Sequence, residues 1–258
     1  MARRRLRDQL GPLRYPFSIA YYLLRFPESA RFAPAWLLSL VSRRTALQDE
    51  VPWIPYVARA WLSSHVTPAM RVFEFGSGGS TVFLARRARA VVSVEHDPEW
   101  CARLRQTLAT EHLTNCTLIL REPVRQAAPS SGSRAYASTK PAYAGMDFGE
   151  YVRTIDAYPD ETFDLVFVDG RSRKACLAHA IPKVRVGGLL VLDNSDNREY
   201  ADALRLFAHL PRTDLHGYGP YWPPAYWRTT VWEKIAAWKP GSVATGATGD
   251  HGGVVQGR

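Results

Sequence analysis

From residue 70 onward the chain alternates short apolar runs with amphipathic stretches, and this alternation limits the possible folds more than any other feature. Met70–Phe75 (MRVFEF), Ala90–Glu95 (AVVSVE), Cys116–Leu120 (CTLIL), Phe163–Asp169 (FDLVFVD) and Leu189–Asp193 (LLVLD) read as strands. Helices are predicted between them over 80–89, 99–109, 148–158, 174–181 and 196–209, with Pro98 in a first turn that tolerates it. Two last strands, near 214–218 and 228–234, flank a turn rich in proline and aromatics. The strands around 72, 92 and 166 are apolar almost throughout, as strands buried on both faces can be. The expected fold class is α/β, a mostly parallel sheet with helices on both faces, which binds ligands at the carboxyl ends of its strands.

The first chemical signal lies at such an end: Glu74-Phe75-Gly76-Ser77-Gly78-Gly79-Ser80-Thr81. Glycines in a strand–helix turn allow positive φ and close backbone approach, and the helix N–H groups that follow suit an anionic group. Glu74, Gly76, Ser77, Gly78 and Ser80 are therefore candidate cofactor contacts. A dinucleotide fingerprint would need its third glycine at position 81, where threonine stands. Glu95 ends the second strand, twenty-one residues after Glu74. A carboxylate at that distance can accept hydrogen bonds from the vicinal hydroxyls of a ribose. Asp97 is a second candidate for that role, and His96, beside the acid, is expected near the nucleoside.

These residues resemble the class I S-adenosylmethionine-dependent methyltransferases over roughly residues 70–235. The resemblance rests on EFGSGGST, VVSVEHDPEW, FDLVFVDG and GGLLVLDN, in that order. It implies a Rossmann-like, seven-stranded sheet that ends in a β-hairpin, with one strand antiparallel to the rest. It also implies S-adenosyl-L-methionine as cofactor, with Gly76 and Gly78 beside its methionine part and Glu95 on its ribose.

Asp169 follows the fourth strand and Asp193-Asn194 the fifth. Two carboxylates and an amide oxygen make an oxygen-only set suited to Mg²⁺ or Ca²⁺. Catechol O-methyltransferase and its metal-dependent relatives look similar here. That likeness implies Asp169, Asp193 and Asn194 as catalytic residues and as Mg²⁺ ligands that would activate an acceptor hydroxyl, so that a chelator suppresses turnover. Those relatives carry a lysine base where Ser172 stands, and Arg173 stays protonated. Hydrogen bonding to substrate or loop capping by the same residues is the alternative. The function expected is methyl transfer to an oxygen of a small molecule or glycan. A nicotinamide-dependent oxidoreductase and a non-catalytic nucleoside-binding module are the other readings.

Three further groups keep two readings each. The aromatic turn Tyr218–Arg228 either binds a planar ring, sugar or cation or packs onto the sheet end. The cluster Arg171, Arg173 and Lys174 either holds an anionic acceptor or opens a solvated helix. His179 and His216 are more often structural than catalytic. Residues 121–146, rich in Ser, Ala, Pro and Gly, form a loop long enough to have a function of its own.

The basic charge has a definite location. Residues 1–44 hold nine arginines against Asp8 and Glu28 and so carry +7 of the formal +9. A nearly neutral body argues against a nucleic-acid partner, which would favour a basic stripe on the folded domain. Pro12, Arg14 and Pro16 break what could pass for a signal peptide, and the runs 19–24 and 32–41 are too short to span a bilayer. Residues 1–69 are expected to form a helical extension packed on the main domain, with peripheral contact to an anionic membrane as the other use of its basic side chains. Residues 70–238 then form the main domain, and the Gly-rich segment 239–258 is expected to be disordered. Three widely spaced cysteines, Cys101, Cys116 and Cys176, fit a reducing, cytoplasmic setting.

Overall fold

The computed structural model describes residues 21, 24–42, 44–126, 136–220 and 226–236. Most of the basic arm, residues 127–135 of the long loop, Tyr221–Ala225 of the aromatic turn and the Gly-rich segment 239–258 lie outside the described residues.

Nine strands are formed among the described residues: β1 Arg71–Phe75, β2 Ala90–Glu95, β3 Cys116–Leu120, β4 Val124–Arg125, β5 Met146–Asp147, β6 Phe163–Val168, β7 Val184–Leu192, β8 Arg212–Tyr218 and β9 Tyr226–Glu233. The helices are α1 Ala33–Ser42, α2 Ala46–Asp49, α3 Tyr56–His65, α4 Gly79–Ala85, α5 Pro98–Thr110, α6 Gly149–Arg153, α7 Arg173–Lys183 and α8 Ala201–Leu206. Seven strands make one sheet in the order β3-β2-β1-β6-β7-β9-β8. Strand β9 runs antiparallel to both β7 and β8, while the β1, β2, β3, β6 and β7 pairings are parallel. The order reverses between β1 and β6, so the ends of those two strands diverge into a crevice where a ligand can sit.

Alternation along the central strands supplies a core on each face. Phe73, Phe75, Val166 and Val168 pack on one side with Phe148, Tyr151, Leu177 and Trp232. Val72, Leu165 and Phe167 pack on the other with Phe83, Leu84, Ile54, Ala58 and Leu62. The last three come from α3 and the turn before it, so the segment ahead of β1 covers part of the sheet. None of the described helices is long and apolar enough to cross a membrane.

Several boundaries differ from the expectation: α4 stops at Ala85, the helix expected over 148–158 is α6 followed by a 3₁₀ turn at Thr154–Ala157, and β4 and β5 pair within the segment expected to be a loop. Strand β7 begins at Val184 and runs through the glycine pair, because Gly187 takes φ +74° and its N–H bonds to the Lys234 carbonyl. The helix expected over 196–209 is a 3₁₀ turn, Arg198–Tyr200, followed by the short α8. Asn197 caps this turn by accepting the Glu199 N–H.

Candidate functional site

The glycine loop bends over a buried polar cluster. Glu74 lies on the same face of β1 as Val72, is fully buried, and accepts hydrogen bonds from the Thr81 and Ser93 hydroxyls, each at 2.5 Å. Thr81 Oγ1 in turn accepts the Gly78 N–H at 2.9 Å, and Ser77 bonds to Ser93 at 2.7 Å. Glu74 thus fixes the loop from below and lines neither cavity at the strand ends, which corrects the expectation of a direct cofactor contact. Burial pushes its carboxyl up to about 7, against the opposing hydroxyls of Ser80, Ser93 and Thr81. A carboxyl raised in the folded state binds its proton more tightly there than in the unfolded chain, where it titrates near ~4. Its contribution to stability is therefore complete at acid pH and is lost as pH rises through about 7. Glu74→Gln, which keeps an acceptor for both hydroxyls, is expected to flatten the fall in melting temperature between about pH 4 and about pH 7. A thermal-unfolding series that leaves the slope unchanged would count against a proton held at this residue.

Above the loop lies a cavity of about 320 Å³. Its lining includes Gly76, Ser77, Gly78 and Ser80 from the loop, Glu95, His96 and Asp97 from the end of β2, and Asp169 from the end of β6. Glu95 Oε2 accepts the Ser77 N–H at 2.9 Å, and Oε1 accepts the His96 and Asp97 N–H groups at 2.8 and 2.9 Å. A carboxylate has about four acceptor positions; Oε1 also lies 2.7 Å from His96 Nδ1, so the capacity Glu95 keeps toward the cavity is on Oε2. Asp97 instead caps α5 by accepting the Trp100 N–H. Trp53, Trp100 and Tyr143 bring aromatic surface, and Tyr143 Oη lies 2.8 Å from His96 Nε2. The floor is formed by two glycines. Gly76 takes φ +92°, and a methyl group on it would come within 2.5 Å of Gly170 Cα, at the end of β6.

A second cavity, about 680 Å³, opens on the other side of Gly170 and Arg171, which line both. Its remaining surface is mostly polar and includes Ser138, Lys140, Lys174, Asn194 and Asn197, with Tyr200 and Trp227 as the aromatic faces. Between these strand ends the Arg173 guanidinium places all five of its donors: Nε on Gly170 O at 3.0 Å, Nη1 on Asp193 O and Asn194 Oδ1 at 2.6 and 3.1 Å, and Nη2 on Asp169 O and Oδ1, both at 2.8 Å. Burial opposes its charge, but Asp169 and Asp193 more than offset this, and its pKa is raised.

Those contacts decide how well the metal reading fits. The Asp169 and Asn194 oxygens expected to hold Mg²⁺ already face a guanidinium. Asp193 Oδ1 accepts from Trp227 Nε1 at 2.9 Å and Thr229 Oγ1 at 2.6 Å, and Asp193 lines neither cavity. No group of three His, Cys, Asp or Glu able to hold a metal occurs among the described residues. The three residues as arranged do not fit a divalent ion, because the cation they surround is a side chain of the protein. Asp193 carries a carboxyl pushed up to about 7 by burial and then by the neighbouring Asp169 charge. Asp169 is also raised, burial outweighing Arg173 and Arg171.

A search of curated sequences returns no match. A family model described as a methyltransferase domain matches residues 73–195, from β1 through the Asp193-Asn194 turn. This segment is a class I S-adenosylmethionine-dependent methyltransferase domain. Among solved structures, the methyltransferase is similar to a Staphylococcus aureus protein provisionally described as a caffeoyl-CoA O-methyltransferase. The identity is 13%, the TM-score 0.50, and the match covers 86% of this chain and 99% of that one. At such identity the likeness is one of fold. It is also similar to an rRNA methylase from Streptococcus thermophilus (15% identity, TM-score 0.47, 75% and 99% coverage). An S-adenosylmethionine-dependent O-methyltransferase from Thermotoga maritima gives 13% identity, TM-score 0.47, and 76% and 73% coverage.

Of the residues the sequence singled out, Gly76, Ser77, Gly78, Ser80, Glu95, His96 and Asp169 meet in the smaller cavity of the methyltransferase, and Asn194 lines the larger. Trp100 and the shared Gly170 close the motifs VVSVEHDPEW and FDLVFVDG, and Tyr143 lies in the long loop, but none has an assigned role there; Trp53 carries no signal of this role in the sequence. The aromatic turn divides between its two readings: Trp227 lines the larger cavity, whereas Tyr218 stacks on Trp36 at 5.5 Å. His216 stacks on Phe26 at 4.4 Å, and His179 pairs with Asp156 at 2.8 Å.

Proposed function

We propose that the methyltransferase transfers the methyl group of S-adenosyl-L-methionine to a hydroxyl oxygen of a small polar molecule or glycan. The observation that carries this is the large polar cavity with two aromatic faces, separated from the cofactor-sized one only by Gly170 and Arg171. Polar side chains for hydroxyls and aromatic faces for ring C–H groups are what a polyol acceptor needs.

The smaller cavity is within the range of small-ligand sites, and its spare acceptor capacity at Glu95 and its side-chain-free turn suit a nucleoside with an amino-acid tail. In this reading Glu95 accepts from the ribose hydroxyls, Tyr143 and His96 flank the nucleoside, and Gly76, Ser77, Gly78 and Ser80 face the methionine part. The bound donor supplies an already activated sulfonium methyl, so the protein contributes mostly alignment and a destination for the acceptor's proton. Asp169 suits the second of these roles, because Arg173 occupies its Oδ1, no described residue bonds to its Oδ2, and its raised pKa makes it a better base. Arg173 and Asn194 hold the strand ends in place, and Asp193 anchors Trp227 in the wall.

The test is transfer of radiolabelled methyl from the donor to a panel of polyols, sugars, phenols and RNA, with and without EDTA. Label in a polyol or sugar fraction, undiminished by chelator, is the expected result. Label in RNA alone would overturn the acceptor class, and loss of activity in EDTA restored by Mg²⁺ would overturn the place given to Arg173.

A further inference from the structure

We infer that the acceptor carries an oxyanion, a carboxylate or phosphate ester, and that Arg171 receives it at the junction of the two cavities. This rests on the reading of the larger cavity as the acceptor site. Four basic side chains line that cavity, Lys140, Arg171, Arg173 and Lys174, and their charges are not equally available. Arg173 is used up on Asp169 and the strand-end carbonyls. Lys174 lies 3.8 Å from Asp202 at an exposed position. Lys140 and Arg171 have no ion pair among the described residues.

Arg171 is the unusual one. Its guanidinium lies over the Tyr143 ring, 5.1 Å from the centroid, and its Nε is buried with no hydrogen-bond partner. The hydroxyl of the next residue, Ser172, is likewise buried and unpartnered, and both residues line the larger cavity. A buried N–H and a buried O–H left without acceptors are costly unless a ligand completes them. One planar cation with an unused donor and one adjacent hydroxyl match an oxyanion with several acceptor oxygens. The acids of the cavity lie elsewhere. Asp196 is exposed and accepts the Arg228 N–H, and Glu199 accepts from Asn197. The inner end, at Arg171 and Ser172, is therefore the cationic end, the nearby Asp169 being paired with Arg173, and Lys140 and Lys174 add long-range attraction.

Glucose 6-phosphate, glucuronate and uncharged glucose serve as probes, each titrated calorimetrically into protein saturated with S-adenosylhomocysteine. At least one charged probe is expected to bind ten or more times more tightly than glucose, and which one does so distinguishes phosphate ester from carboxylate. Arg171→Gln is expected to remove that preference when the variant is likewise saturated with S-adenosylhomocysteine, so that a modest change in donor affinity does not enter the comparison. Should that variant fail to fold, the double variant Lys140→Gln/Lys174→Gln reports instead, with a loss of threefold or more for the charged probe and a weaker dependence on salt. Equal binding of all three sugars, or a charged-sugar preference that survives both variants, overturns the inference. So does an Arg171→Gln protein that loses tenfold in S-adenosylhomocysteine affinity, since the arginine would then serve the carboxylate of the donor. Failure of S-adenosylhomocysteine to bind wild-type protein would strike the donor assignment, a separate result from the first titration.

Discussion

Glu95→Ala is expected to weaken S-adenosylhomocysteine binding by roughly 10- to 150-fold, the equivalent of about 1.5–3 kcal/mol for hydrogen bonds to a charged group. Glu95 is 3% exposed, and its three backbone bonds aim its carboxylate at the cavity. Glu95→Gln keeps the size but cannot accept through both head-group atoms, so it should fall between wild type and Ala. Isothermal titration of the three proteins, each checked for a normal unfolding transition, reads the effect directly. Wild-type affinity in the Ala protein would remove the ribose from this residue and leave the donor without its main polar anchor.

A methyl group at Gly170 is expected to damage both stability and donor binding. It would be placed 1.9 Å from the Tyr151 hydroxyl and 2.9 Å from Gly76 Cα, and neither can yield, since Tyr151 is fully buried and Gly76 is main chain in a tight turn. Overpacking of this kind costs about 1–3 kcal/mol, on the order of 3–10 °C in melting temperature for a domain of this size. Gly170→Ala combined with Tyr151→Phe removes the hydroxyl that clashes and should recover part of the loss, a coupling that additive effects would not give. Donor affinity should fall with Gly170→Ala as well, because the displaced partner is the floor of the glycine turn. A fully stable Gly170→Ala protein would mean that the two strand ends are not in contact.

Much of this is legible in the sequence because the relevant signals are local. Apolar runs at β1, β2 and β6 announce a doubly covered sheet, and the Glu74-to-Glu95 spacing places an acid at the mouth of the first cavity. Period-two alternation also turns Glu74 inward, since it shares its face with Val72, but the glycines after it draw the eye toward the ligand. The metal expectation fails for a different reason. Asp169, Asp193 and Asn194 do converge, yet the cation among them is Arg173, one helical turn beyond Asp169. An arginine at that offset from a strand-end acid is a local signal for an ion pair, and weighing it only as a poor base misses the pairing. Trp53, Trp100 and Tyr143 are beyond sequence reasoning, because their arrival at one cavity from three separate segments depends on tertiary packing.

The segment ahead of β1 has a practical consequence for anyone who would shorten the protein. Ala46 and Trp53 form part of the smaller cavity, and the Ala46 and Val51 carbonyls press so closely on Gly79 that no side chain fits between them. Ile54, Ala58 and Leu62 meanwhile shield one sheet face from water. A fragment trimmed to the family-matched span 73–195 would bare that greasy surface, forfeit Trp53 at one cavity and Trp227 at the other, and strand Trp232's partners at the far edge. Its minimal working unit therefore begins well upstream, near the first residues that touch the glycine turn.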